Sequence, residues 1–172
     1  MQRLLNTITN LAIIAVLVFL LVTTLQRRNR TNADTKTAEI EALAHRSFPE
    51  FAKLRARGDA LAKGTAIAAM SSSCIFCAES GGFYRRLISA IDRKAPRGRI
   101  FFAFDLHDTK ARQFLSKLGL PKDRYQAADF QSLGIRNTPT LLIIDEAGRV
   151  RSAWIGKLTQ SEEDQILRSL AR

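Results

Sequence analysis

The sequence predicts an α/β domain, a three-layer sandwich with a mixed central sheet and helices on both faces, preceded by one N-terminal transmembrane helix. Three observations lead there. Short apolar runs bounded by turn residues, TAIAAM at 65–70, IFFAF at 100–104 and TLLII at 140–144, read as buried strands. Segments of helical periodicity lie between them, and strands joined by crossover helices pair in parallel. An uncharged run from Ile8 to Leu25, ITNLAIIAVLVFLLVTTL, stands apart from all of these.

That run is the first element. At about 1.5 Å per residue its 18 residues reach roughly 27 Å, close to the hydrocarbon thickness of a bilayer. A cleaved secretory signal is the alternative, but the run exceeds a usual signal core and Thr23 to Arg30 offers no small-x-small cleavage site. An uncleaved anchor over residues 1–28 is therefore expected, with lipid against residues 8–25. Residues 29–45 then read as a polar tether and entry segment, since NRTNADTKT (29–37) lacks apolar periodicity. Residues 46–172 form the domain.

Within the domain, SFPEFAKL (47–54) alternates as a short strand, turns at Gly58 and returns at Ala60 and Leu61 as a small hairpin. After the strand at 65–70 comes CIFC. From Ile75 to Arg93, Phe76, Phe83, Leu87, Ile88 and Ile91 recur at helical spacing, with Gly81 and Gly82 as a kink. A second helix is expected from Asp108 to Leu118, stopped by Gly119 and Pro121, and one or two helical turns from Asp129 to Leu133 before Gly134. The turn DEAG (145–148) folds VRSAWI (150–155) back on TLLII as an antiparallel neighbour. A last helix starts at Ser161 as N-cap, with Asp164 at its third position and Ile166, Leu167 and Leu170 on its buried side.

Composition narrows the function classes. The chain has 172 residues with 27 Lys and Arg against 16 Asp and Glu, enough for one compact domain plus an appendage. Arg3, Arg27, Arg28 and Arg30 lie at or before residue 30, where no acidic residue occurs, which leaves the remainder an excess of seven positive charges. No basic helix with base-reading spacing and no interleaving of aromatic with basic residues accompanies that charge, so no nucleic-acid partner is expected. There is no internal repeat. Gly81 and Gly82 lack the spacing of a phosphate loop, and no nucleotide, flavin or haem fingerprint is present, so no cofactor is expected.

The chemistry concentrates in CIFC. Two cysteines three residues apart in the first turn of a helix have Cα atoms near the separation a disulfide needs. Cys74 lies where strand hands over to helix, so its sulfur meets free backbone N–H groups and the positive end of the helix dipole, which favour the thiolate. It is the expected attacking residue, with Cys77 one turn further in to resolve the mixed disulfide. Two other readings stay open. One is a structural disulfide, although so small a loop constrains the unfolded chain little. The other is half of a zinc site, although His45 and His107 have no suitable spacing to the pair and no metal is expected.

Four further positions bear on the site. Thr138 and Pro139 enter the strand at 140–144, and a proline there implies a special turn. Glu79 either tunes the pair or is an exposed carboxylate at a helix start. His107 is a candidate for proton transfer, and Trp154 reads as a packed strand residue. Ile75 and Phe76, between the cysteines, offer an apolar docking lip.

TAIAAMSSSCIFC and GIRNTPTLLIIDEAGRV together resemble the thioredoxin superfamily, in particular its membrane-anchored TlpA-like and ResA-like thiol/disulfide oxidoreductases, over about residues 46–172. The resemblance implies a thioredoxin-like fold, Cys74 as nucleophile, Cys77 as resolving cysteine, and Pro139 as a cis-proline facing them, with Thr138 pairing to an extended substrate. Ser73 and Phe76 stand where that family often has Trp and Pro. The implied function is disulfide exchange with protein dithiol or disulfide substrates, and a membrane partner recharges the pair. The location implied is the inner membrane with the domain on its extracytoplasmic, periplasmic side, which suits paired cysteines although Arg27, Arg28 and Arg30 after the helix argue against export. A noncatalytic binding module, a metal chaperone and a peroxiredoxin-like peroxidase are the alternatives. The last lacks the usual proline, since Met70 to Ser73 supplies none.

Overall fold

The computed structural model describes residues 2–44, 46–48, 65–94, 100–145 and 147–170. The chain divides into two compact units, Met1–Glu39 and Ile40–Arg172.

The first unit consists of helix, the greater part of α1 (Gln2–Ala44). The segment 29–37, expected to be a tether, is helical, and the reason is visible in its composition. No Gly or Pro occurs between residues 26 and 44, so nothing interrupts a backbone that Ala, Glu and Lys favour as helix. Side chains at 2–12 and 29–33 lie outside the described set. Among the described residues no helix is long and apolar enough to cross a membrane.

The second unit is a five-stranded mixed sheet in the order β3-β2-β1-β4-β5. Its strands are β1 (Thr65–Met70), β2 (Ile100–Asp105), β3 (Tyr125–Ala128), β4 (Thr140–Ile144) and β5 (Val150–Ile155). β1, β2 and β3 run parallel, whereas β4 and β5 are antiparallel to their neighbours. Alternation along β1 divides the core. Ala66, Ala68 and Met70 join Phe102, Phe104, Leu87 and Ile166 on one face, while Ile67 and Ala69 join Leu142, Ile144, Phe130 and Leu133 on the other. The helices are α2 (Ile75–Glu79), α3 (Gly81–Lys94), α4 (Ala111–Lys117), α5 (Phe130–Leu133) and α6 (Gln160–Leu170). Leu43 and Phe48 are fully enclosed in the second cluster with Ile40 packed against it, so the compact unit begins before residue 46. Residues 49–64, which hold most of the expected hairpin, lie outside the described residues, but Ser47 pairs antiparallel with Arg149.

Four expectations change in detail. β3 was not expected, because YQAA is too short and too mixed to signal a strand, and only parallel pairing with β2 makes it one. The helix expected over 75–93 breaks at Ser80, just before the two glycines, where the chain turns between α2 and α3. Helix α4 starts at Ala111 rather than Asp108 and has no side-chain cap, forgoing about 1 kcal/mol that an Asp cap supplies. The Asp108 carboxylate is engaged elsewhere. The cap of α6 sits two residues earlier than Ser161: Thr159 and Glu162 form a reciprocal capping box, in which the Glu162 N–H donates to Thr159 Oγ1 and the Thr159 N–H donates to Glu162 Oε2.

Candidate active site

β1 ends at Met70 and the chain turns through Ser71, Ser72 and Ser73, closed by the Cys74 N–H donating to the Ser71 carbonyl at 3.2 Å. Cys74 is the N-cap of α2, with extended backbone (φ −84, ψ 117). Its Sγ accepts the Cys77 N–H at 3.3 Å. This is the anion-favouring position of a helix start, occupied by sulfur.

Sheet register brings the second half of the site to the first. β4 lies beside β1 with Ala69 opposite Thr140, so the residues entering β4 arrive where β1 delivers Cys74. The Thr138–Pro139 peptide is cis, and the Thr138 carbonyl accepts from Cys74 Sγ at 3.2 Å. Thr140 Oγ1 donates to the Asn137 carbonyl at 2.7 Å, and the Gly156 N–H donates to the Pro139 carbonyl at 2.7 Å. This is the thioredoxin-like fold.

The two thiols are free, and they differ in setting. Burial alone would raise the Cys74 thiol, but hydrogen bonding with the Cys77 and Thr138 side chains and with the Cys77 and Phe76 backbone outweighs it and holds Cys74 below the ordinary cysteine value. Cys77 is wholly enclosed. Burial, joined by its neighbour Cys74, pushes its thiol up to about 12. The two sulfurs are thus held apart, Cys74 the more acidic of the pair and Cys77 protonated at neutral pH. Behind them Tyr84 is buried against Phe102, ring centroids 5.7 Å apart and edge-on. Burial and then the two cysteines raise its phenol, which stays protonated.

Around the pair, Ile75 (67% exposed), Phe76 (51%) and Leu106 (57%) are the large apolar side chains left exposed in the second unit among the described residues. Leu106 follows β2, parallel to β1, so it comes off the same end of the sheet as the CIFC loop. The other expected residues lie as follows. The Glu79 carboxylate accepts from Lys157 Nζ at 2.6 Å at a half-exposed position. His107 donates its backbone N–H to the Asp105 carboxylate at 3.1 Å. Trp154 packs on the first core cluster opposite Leu141. Leu106, Tyr84 and the Ser72–Asp108 contact described below were not foreseen. Tyr84 had a signal in the sequence, a spacing of seven residues from Cys77 within the helix expected over 75–93, whereas the others depend on which loops the sheet brings together.

No protein-family model and no curated protein matches the chain. Among solved structures, the N-terminal domain of PilB from Neisseria gonorrhoeae is 22% identical, covering 62% of this chain and 76% of that one with a TM-score of 0.43. The exposed lipoprotein thioredoxin Etrx1 of Streptococcus pneumoniae is 18% identical, covering 63% and 83% with a TM-score of 0.44. A DsbF homologue from Corynebacterium diphtheriae is 16% identical, covering 62% and 71% with a TM-score of 0.46. The thioredoxin-like assignment stands on the strand order and on the meeting of the cysteine turn with the Thr138–Pro139 entry to β4.

Proposed function

We propose that this protein is a membrane-anchored thiol/disulfide oxidoreductase that exchanges disulfides with protein substrates. One observation carries the reading: the partly exposed sulfur of Cys74 is held by the Cys77 N–H and faces Thr138, while Cys77 is enclosed and holds its proton. In the reducing direction the Cys74 thiolate attacks one sulfur of a substrate disulfide. That S–S bond breaks, a mixed disulfide forms, and the departing substrate thiolate takes up a proton. Cys77 then loses its proton and attacks the Cys74 sulfur, releasing the second substrate thiol. The substrate gains two electrons and the protein is left with a Cys74–Cys77 disulfide. Reversal of the same steps oxidises a dithiol. Ile75, Phe76 and Leu106 supply an apolar rim for the substrate chain, and Thr138 a backbone for it to pair with. Glu79 is engaged by Lys157 rather than by the pair.

In this reading α1 is the anchor, and a membrane protein on the same bilayer recharges the pair. The described side chains from Ile13 to Val22 are exposed on every side of the helix although apolar, and such a helix is stable in lipid rather than water. Thr23 and Thr24 spend their hydroxyls on the carbonyls of Leu20 and Leu21, as polar side chains do in hydrocarbon. The domain lies on the periplasmic side. Fusion after residue 35 to a reporter active only outside the cytoplasm is expected to give signal, and a silent fusion alongside an active cytoplasmic reporter reverses the orientation.

The activity is tested by reduction of insulin with dithiothreitol. The chain is expected to accelerate precipitation of the insulin B chain, and Cys74→Ser to return the rate to the uncatalysed one. Equal rates with and without the unaltered chain would leave a noncatalytic binding module.

A further inference from the structure

Asp108 has the sequence position of a helix cap, yet its carboxylate turns away from α4 and across to the loop before Cys74. Its Oδ2 accepts the Ser72 N–H at 2.7 Å and its Oδ1 accepts the Ser72 hydroxyl at 2.6 Å. The Lys110 N–H also donates to Oδ1 at 3.2 Å, and the Asp108 N–H is fixed on the Asp105 carbonyl at 3.0 Å. The carboxylate is thus rooted at the end of β2 and grips the middle of the turn that ends at Cys74. Ser72 stands inside that turn, closed by the Cys74 N–H on Ser71, where its own N–H has no partner within the turn.

We infer that Asp108 is a positioning residue for Cys74: by gripping both donors of Ser72 it fixes the Ser71–Cys74 turn, and with it the placement of the Cys74 sulfur against the Cys77 N–H and the Thr138 carbonyl. The inference rests on the exchange reading for its purpose, but not for its measurement. A sulfur 3.3 Å from the Cys77 N–H loses that thiolate-favouring bond if the turn shifts by an ångström, since hydrogen bonds weaken steeply with distance and angle. The grip is built from two short charge-assisted bonds, the kind that hold geometry best. Of the ionisable groups, Cys77 on α2 acts on Cys74, and both cysteines act on Tyr84 on α3. The Glu79–Lys157 pair stands at the far end of α2, and the facing loop after β2 carries His107, Lys110 and Asp108. Only the last is altered in the test.

The test is the pH dependence of iodoacetamide alkylation at Cys74, followed by mass spectrometry on the reduced full-length chain in detergent, with the melting temperature measured alongside. In the unaltered chain the midpoint is expected below the roughly 8.5 of free cysteine. Asp108→Ala is expected to raise it by about one pH unit, which makes alkylation below the midpoint about tenfold slower. Asp108→Asn, which keeps one acceptor, should fall between. Ser72→Ala removes one bond without changing charge and should raise the midpoint by a smaller step, keeping the test intact if the Asp108 variants do not fold. Profiles of Asp108→Ala and Ser72→Ala superimposed on that of the unaltered chain, with only the melting temperature lowered, would reduce the contact to a structural tie and overturn the inference. A lowered midpoint in Asp108→Ala would assign the effect to charge and overturn it equally. An ordinary midpoint in the unaltered chain instead sinks the exchange reading itself, and this inference with it.

Discussion

Cys77→Ser is expected to convert a transient intermediate into an accumulating one. Cys74 keeps its place at the start of α2, so attack on a substrate disulfide proceeds and the mixed disulfide forms. The displacing sulfur is gone. A serine hydroxyl does not attack a disulfide under these conditions, so the substrate stays bound through Cys74 until an outside thiol releases it. In cells carrying this variant, proteins joined to the chain should appear on non-reducing gels and vanish on reduction, and Cys74→Ser should show none. Turnover in the insulin assay should fall to the uncatalysed rate in both single variants, because each half of the exchange needs its own sulfur. Equal capture through Cys74→Ser and Cys77→Ser would contradict the division of labour that burial imposes, in which the more accessible sulfur meets the substrate and the enclosed one resolves it.

Phe102→Ala should be the most damaging of the core truncations near the site. Phe102 is wholly buried at the centre of β2, paired to Ala68 on one side and Tyr125 on the other, with its ring edge-on to Tyr84. Neighbours of this kind belong to a rigid sheet and cannot close around the space left, so loss of transfer energy and the residual cavity add, at about 3–5 kcal/mol. That is a large share of the 5–15 kcal/mol by which domains are typically stable. Urea unfolding of the full chain in detergent should show a lower midpoint with an unchanged slope. A loss under about 1 kcal/mol would mean that this position is not packed as described. Tyr84 would also lose the ring that backs it beside the cysteines, so the two effects should appear together: lower stability and a less well-defined environment for Cys77.

The residues proposed to carry the chemistry were legible because their signals are local. TAIAAM, IFFAF, TLLII and VRSAWI are strands within a residue of their expected ends, since buried strands must be short, apolar and bounded. The spacing of Cys74 and Cys77 and the position of Cys74 before a helix follow from the same local rules. The cap of the last helix was only nearly legible: the sequence pointed to Ser161 with Asp164, whereas the chain caps α6 two residues earlier with Thr159 and Glu162.

By itself the sequence determined the α/β class, the cysteine pair with Cys74 at a helix start, the proline-led entry to β4, and the apolar run near the N-terminus. Each of these is a property of residues close together in the chain. The tertiary structure decided the rest: that β4 lies against β1 and so sets Thr138 before Cys74, that YQAA becomes an edge strand, that the two thiols are held far apart in acidity, and that Asp108 serves a loop 36 residues away rather than its own helix. The physical reason is the same for all four. Pairing register, burial and the capture of a lone backbone donor depend on which distant segments the sheet makes neighbours, and no stretch of sequence contains both partners.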